Sequence, residues 1–62
     1  MTKEQVDRWM GLSEAVPAME RHGIDPGEFK KEWLELGAII YGEWKNNPEQ
    51  YLKSMREWGF SV

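Results

Sequence analysis

Carboxylate side chains recur in the middle of the chain at helical spacings, with one isoleucine among them. At about 100° per residue, side chains with these spacings share one side of an α-helix. Acidic groups steer and orient a basic partner surface, and an apolar side chain at their centre can anchor in a pocket. The expected partner-binding residues are Glu28, Glu32, Glu35, Ile39 and Glu43.

A solvated helix face is the alternative interpretation of the same pattern. Lys31 stands three residues after Glu28 and four before Glu35, so it could form a surface ion pair with either acid. Each such pair stabilises a helix by about 0.2–0.5 kcal/mol. The charge pattern by itself leaves both interpretations open.

The residue types give little support for a metal site or a catalytic site. The chain has one histidine, His22, and no cysteine, so it lacks the ligand spacing of a zinc site and a nucleophile paired with a base. The glutamates also lack the loop spacing of a calcium site. A chain of 62 residues offers little room for a pocket of a few hundred Å³. We therefore expect no enzyme activity, no metal and no cofactor.

The charge balance disfavours a nucleic acid partner. Eleven acidic residues oppose eight basic ones, for a net charge of −3, whereas phosphate binding needs clustered Lys and Arg. A DNA-binding helix-turn-helix formed by segments 14–22 and 26–46 is still the alternative function, because the turn between them contains glycine. Its recognition helix would begin PGEFKKEWLELG, which has no Arg, Asn or Gln to read bases.

Helical signals recur from end to end, and the alternating pattern of strands is absent from the sequence. This indicates a single all-α domain over residues 1–62. We predict a compact bundle of three to four helices at about residues 3–10, 14–22, 26–46 and 48–58, with the long third helix as its spine.

The boundary between the first two segments depends on three residues. Gly11 weakens a helix, Ser13 offers a cap, and Pro17 lacks the N–H that a helix interior needs. We therefore predict a break here. The alternative is one bent helix with an apolar seam of Trp9, Leu12, Val16 and Met19.

The other helix ends carry recognisable capping residues. Thr2 and Gln5 fit a capping box, and Asp25 and Asn47 each precede a proline in the first helical position. MERHGI and MREWGF repeat one terminating pattern, in which a glycine adopts the left-handed conformation of a Schellman motif.

The predicted third helix places its largest apolar residues in one arc about 80° wide. This expected core face comprises Phe29, Trp33, Leu36, Ile40 and Trp44. Gly37 and Gly42 each cost about 1 kcal/mol relative to alanine in a helix, so another helix is expected to approach closely, from this chain or from a second copy.

These features together predict a small, non-enzymatic protein-binding module acting as an adaptor, regulator or inhibitor. It would dock an acidic and apolar helix face on a larger protein with a basic surface, or form a homodimer. The four Trp and four Met agree with this, since such residues are enriched at interfaces. Neither a signal peptide nor a membrane span is evident, so we expect a cytoplasmic protein without membrane contact.

Overall fold

The computed structural model describes residues 1–61, and over that range the chain forms three α-helices. They are α1 (Lys3–Arg21), α2 (Glu28–Asn46) and α3 (Pro48–Glu57). The all-α prediction is confirmed. Helix α2 packs against both α1 and α3, but it is no longer than α1, since each has 19 residues. Within this range no helix combines the length and the apolar character needed to cross a membrane.

The predicted break in the first half of the chain is wrong, because α1 continues through Pro17. A proline in a helix interior costs about 3 kcal/mol. The continuous helix, however, buries Val6, Leu12 and Val16 together, with exposed fractions of 1%, 4% and 0%. Full burial of such a side chain is worth about 1.5–3 kcal/mol, so the packing outweighs the strain at the proline. The alternative of a single helix is therefore correct.

Ser13 connects α1 with α2 instead of capping a second helix. Its hydroxyl donates to the backbone carbonyl of Trp9 at 2.8 Å, one turn earlier in α1. The same oxygen accepts the indole N–H of Trp33 from α2, also at 2.8 Å. The polar ends of two partly buried residues thus satisfy each other between the helices.

The predicted glycine terminators are confirmed at both sites. At the end of α1 the amide of Ile24 donates to the carbonyl of Met19 at 2.8 Å, which is the long-range bond of a Schellman motif. The equivalent bond after α3 measures 2.9 Å. Gly23 and Gly59 make these closures possible with φ angles of 70° and 85°.

The start of α1 agrees with the prediction, whereas the start of α2 differs. The Thr2 hydroxyl accepts the Gln5 amide N–H at 3.2 Å, and the Gln5 side chain accepts the Thr2 N–H at 2.8 Å. Before α2, the Asp25 carboxylate accepts the N–H of Gly27 at 3.0 Å. Gly27 has a φ angle of 53°, which is not helical, so the helix begins at Glu28 and not at residue 26.

Helix α3 begins at Pro48 directly after Asn47, as predicted. Over residues 1–61, the Asn47 side chain makes no capping hydrogen bond. Gln50 donates instead to the hydroxyl of the buried Ser54 at 3.0 Å. This hydrogen bond joins the first turn of α3 to a residue one turn further along the same helix.

The predicted core face of α2 is buried only in its middle. Ile40 is 7% exposed, and it packs in one cluster with Val6 and Met55. Phe29 and Trp44, at the two ends of the predicted arc, are 48% and 50% exposed, so their assignment to the core is corrected. The packing of α1 and α3 on α2 therefore leaves both ends of this arc largely uncovered.

Gly37 marks the place where α1 approaches α2 closely. A Cβ atom at this position would lie 3.2 Å from the indole nitrogen of Trp9. The close approach of Trp9 from α1 therefore explains why a residue without a side chain occupies position 37. Gly42 differs, because a Cβ atom there would meet nothing within 4 Å among residues 1–61.

Candidate docking surface

One side of α2 is not covered by the rest of the described chain. We call it the outward face of α2. Its apolar members Leu34, Ile39 and Tyr41 are 59%, 43% and 58% exposed. This outward face consists of Lys31, Leu34, Glu35, Ala38, Ile39, Tyr41, Gly42 and Lys45, all exposed except the partly exposed Gly42.

The predicted partner-binding residues divide into an exposed and a half-buried group. Glu28, Glu35 and Ile39 are exposed on α2, whereas Glu32 and Glu43 are partly buried. In residues 1–61, neither Glu28 nor Glu35 has a basic group within ion-pair distance. Two carboxylates on the same side of α2 as the exposed Ile39 are therefore unpaired among the described residues.

Glu32 already has a partner within the chain. Its carboxylate accepts from the Arg8 guanidinium at 2.6 Å through Nε and at 3.3 Å through Nη2. This hydrogen bond lowers the pKa of Glu32 below its usual value and raises the pKa of Arg8. Arg8 also lies over the ring of Phe29, at 5.9 Å from its centroid. The pair could not be predicted from local sequence spacing, because 24 residues separate its members.

A second ion pair joins α1 and α2. Lys30 Nζ lies 3.3 Å from a carboxylate oxygen of Glu20. Both side chains are almost half exposed, so the pair contributes little stability by itself. The pair nevertheless links the first turn of α2, through Lys30, to Glu20 of α1.

Two open grooves flank the packed side of α2. The larger, of about 360 Å³, lies between α1 and Phe29. The smaller, of about 280 Å³, is lined mainly by the rings of Trp9, Tyr41, Trp44 and Tyr51. Spaces of this size correct the expectation that the chain has little room for a pocket. The spacing of three between Tyr41 and Trp44 was the available sequence signal for the aromatic groove.

His22 does not belong to either groove. It occupies the C-cap of α1 and is exposed. Its amide N–H contacts carbonyl groups of the last turn of α1. The backbone N–H of His22 therefore helps to terminate α1.

Comparison with known proteins finds no matching family model, curated protein or solved structure. The outward face of α2 combines large exposed apolar side chains with charged groups of both signs, namely Glu35, Lys31 and Lys45.

Proposed function

We propose that this chain is a small protein-binding module that docks the outward face of α2 on another protein and thereby acts as an adaptor, regulator or inhibitor. The observation that carries the proposal is the exposure of Leu34, Ile39 and Tyr41 on one helix, each above 40%. Clustered exposed apolar residues mark interaction sites more often than residues that are scattered singly.

The distribution of apolar residues in the whole chain supports this assignment. Among residues 1–61 the buried apolar side chains are few and mostly of moderate size: Val6, Leu12, Val16, Ile40 and Met55. Apolar side chains of equal or larger size, such as Leu34 and Tyr41, remain outside this core. These side chains therefore contribute little to the core, whereas binding of a partner would bury their exposed apolar surface.

The exposed carboxylates on the side of α2 that carries Ile39 favour basic groups at the matching positions of a partner, while Lys31 and Lys45 on the same outward face favour acidic ones. Glu28 and Glu35 are exposed and belong to the side of the helix that carries Ile39. Carboxylates at the rim of an interface increase the association rate and select partners of opposite charge. Ile39 would act as the anchor, while Glu32 remains engaged with Arg8.

Substitution of Ile39 tests the proposal. Ile39→Asp should weaken capture of a partner from the native cell extract by about tenfold or more, because a charge would enter the centre of the interface. Met10→Asp is the matched control, since Met10 is 44% exposed in α1 and Ile39 43% exposed in α2. Both variants should keep the helical circular dichroism of the wild type.

The result that supports the proposal is a partner bound by wild type and Met10→Asp but lost with Ile39→Asp. Equal capture by all three proteins would show that the outward face of α2 is not the docking surface. Unfolding of Ile39→Asp alone would show that Ile39 contributes to the core, which would also overturn the assignment.

A further inference from the structure

We infer that the outward face of α2 pairs with the same face of a second copy of this chain, with the two α2 helices antiparallel. The inference rests on the proposed function, because it names one occupant of the proposed docking surface. It starts from a row of residues at alternating steps of four and three, which is the spacing that keeps side chains on one side of a helix. This row is Lys31, Glu35, Ala38, Gly42 and Lys45.

Apolar side chains border this row on both sides. Leu34 and Tyr41 lie along one edge and Ile39 along the other, by the helical spacing. All three are exposed, as their fractions above 40% show. A second helix laid along the row would cover both edges at once, which a partner touching one edge would not do.

Opposite charges on the row identify a second copy as the occupant. Glu35 stands five residues before Ile40 and Lys45 five residues after it. In an antiparallel pair centred at the level of Ile40, each Glu35 therefore faces Lys45 of the other copy, about 7.5 Å along the axis from the centre. Across residues 1–61 neither side chain has an ion-pair partner of its own.

The same antiparallel alignment also places the small residues of the two helices opposite each other. Ala38 precedes the centre by two residues and Gly42 follows it by two, so each Ala38 faces Gly42 of the other copy. The described chain itself leaves the space beside Gly42 empty. A parallel pair would instead bring Glu35 against Glu35 and Lys45 against Lys45, so the charges favour the antiparallel orientation.

The size of this contact predicts a weak dimer. A single pair of short helices falls at the low end of interface areas, so the dissociation constant should be on the order of 10 μM. Sedimentation equilibrium of the purified chain between about 1 μM and 1 mM spans that value. The wild type should change from monomer to dimer over this range.

Exchanging the charges of Glu35 and Lys45 tests the proposed ion pairs between the two copies. Glu35→Lys and Lys45→Glu should each raise the dissociation constant about tenfold, since either change creates two repulsive pairs in the dimer. The double variant Glu35→Lys/Lys45→Glu should return to within about threefold of the wild type, because both pairs are then attractive again. It also keeps the net charge of −3, which excludes a general charge effect.

A bulkier residue at Gly42 tests the close approach independently. Gly42→Gln should raise the dissociation constant at least about tenfold, because a side chain would separate the two helices. Gly11→Gln is the matched control, since both glycines are helical and a Cβ atom at either meets nothing within 4 Å among the described residues. Gly11→Gln should leave the dimer unchanged.

A monomeric wild type up to about 1 mM, or a double charge variant that stays as weak as the single variants, would overturn the inference. So would a dimer that is equally stable with Gly42→Gln. Failure here is distinguishable from failure of the proposed function. A monomeric chain whose partner capture still depends on Ile39 would retain the proposed function without self-pairing.

Discussion

Two of the polar contacts between α1 and α2 join side chains that are 20 and 24 residues apart in the sequence. The hydroxyl oxygen of Ser13 accepts the indole N–H of Trp33, and the guanidinium of Arg8 donates to the carboxylate of Glu32. The first contact is partly buried, so its loss would leave a partly buried donor without its protein acceptor. The second is half exposed, so it is sensitive to pH and salt.

Ser13→Ala should lower the free energy of unfolding by about 1 kcal/mol, although alanine is the better helix former. The reason is that Trp33 Nε1 would lose its acceptor. Urea denaturation followed by circular dichroism measures the change. In a Trp33→Phe background the same substitution should cost much less, because no indole N–H remains to be satisfied. Equal costs in both backgrounds would show that the Ser13–Trp33 hydrogen bond contributes nothing.

The pair of Arg8 and Glu32 predicts a pH dependence with a definite sign. Arg8 lowers the pKa of Glu32 in the folded chain, so the stabilisation is present above the ordinary glutamate pKa of about 4.3 and is lost as the pH falls through the folded value. The wild type should therefore be more stable than Glu32→Gln at pH 6, and the difference should shrink towards pH 3.

Glu14→Gln serves as the control for this titration, because Glu14 is exposed in α1 and has no ion-pair partner among residues 1–61. Urea midpoints at each pH measure the difference for both variants. A Glu32→Gln difference that grows towards acid pH would have the wrong sign for this pair. Salt at about 1 M should reduce the difference at pH 6 as well.

Among the secondary structure elements, α1 shows most clearly how packing overrides local preference. Pro17 removes one hydrogen bond from the interior of this helix, yet 19 residues form it without interruption. Val6 and Val16, on either side of the predicted break, are both fully buried. The helix therefore retains a local strain that the core compensates.

Pro17→Ala should raise the free energy of unfolding by about 1–3 kcal/mol, because it restores the hydrogen bond to the carbonyl of Ser13 and removes the ring clash. Pro48→Ala is the matched control. Pro48 occupies the first position of α3, where the N–H has no helical partner, so its replacement should lower stability by about 0.5 kcal/mol. Chemical denaturation of both variants measures the contrast. Equal effects of the two substitutions would contradict it.

The whole molecule combines a small core with a large apolar exterior. A chain of 62 residues is expected to be stable by roughly 3–9 kcal/mol in total. Its fully buried residues must supply most of this, since the described part of the chain has exposed ion pairs and Cys is absent from the sequence. Exposed side chains such as Leu34 contribute little to the monomer and remain available for binding.

Val6→Ala should therefore destabilise the chain by about 1–3 kcal/mol and lower the melting temperature by about 5–15 °C, because Val6 is 1% exposed and packs with Ile40 and Met55. Leu34→Ala removes more atoms but should change stability by less than about 0.5 kcal/mol at micromolar concentration. Calorimetry of both variants measures the contrast. A larger effect at Leu34 would show that the outward face of α2 contributes to folding.

The sequence alone determined the features that arise within a few residues. The all-α class, the Thr2 capping box and the ends of α1 and α3 at Gly23 and Gly59 depend on hydrogen bonds that span at most five positions. Such bonds form from local residue types whatever the rest of the chain does, which is why their residues could be identified in advance.

Tertiary structure decided the features that depend on distant neighbours. Whether α1 continues through Pro17 is a balance between local strain and burial against α2, and a helical wheel contains no information on that burial. The same wheel placed Phe29 and Trp44 in the core, but coverage depends on where α1 and α3 lie. The engagement of Glu32 by Arg8, 24 residues away, likewise became visible only when the two helices were placed together.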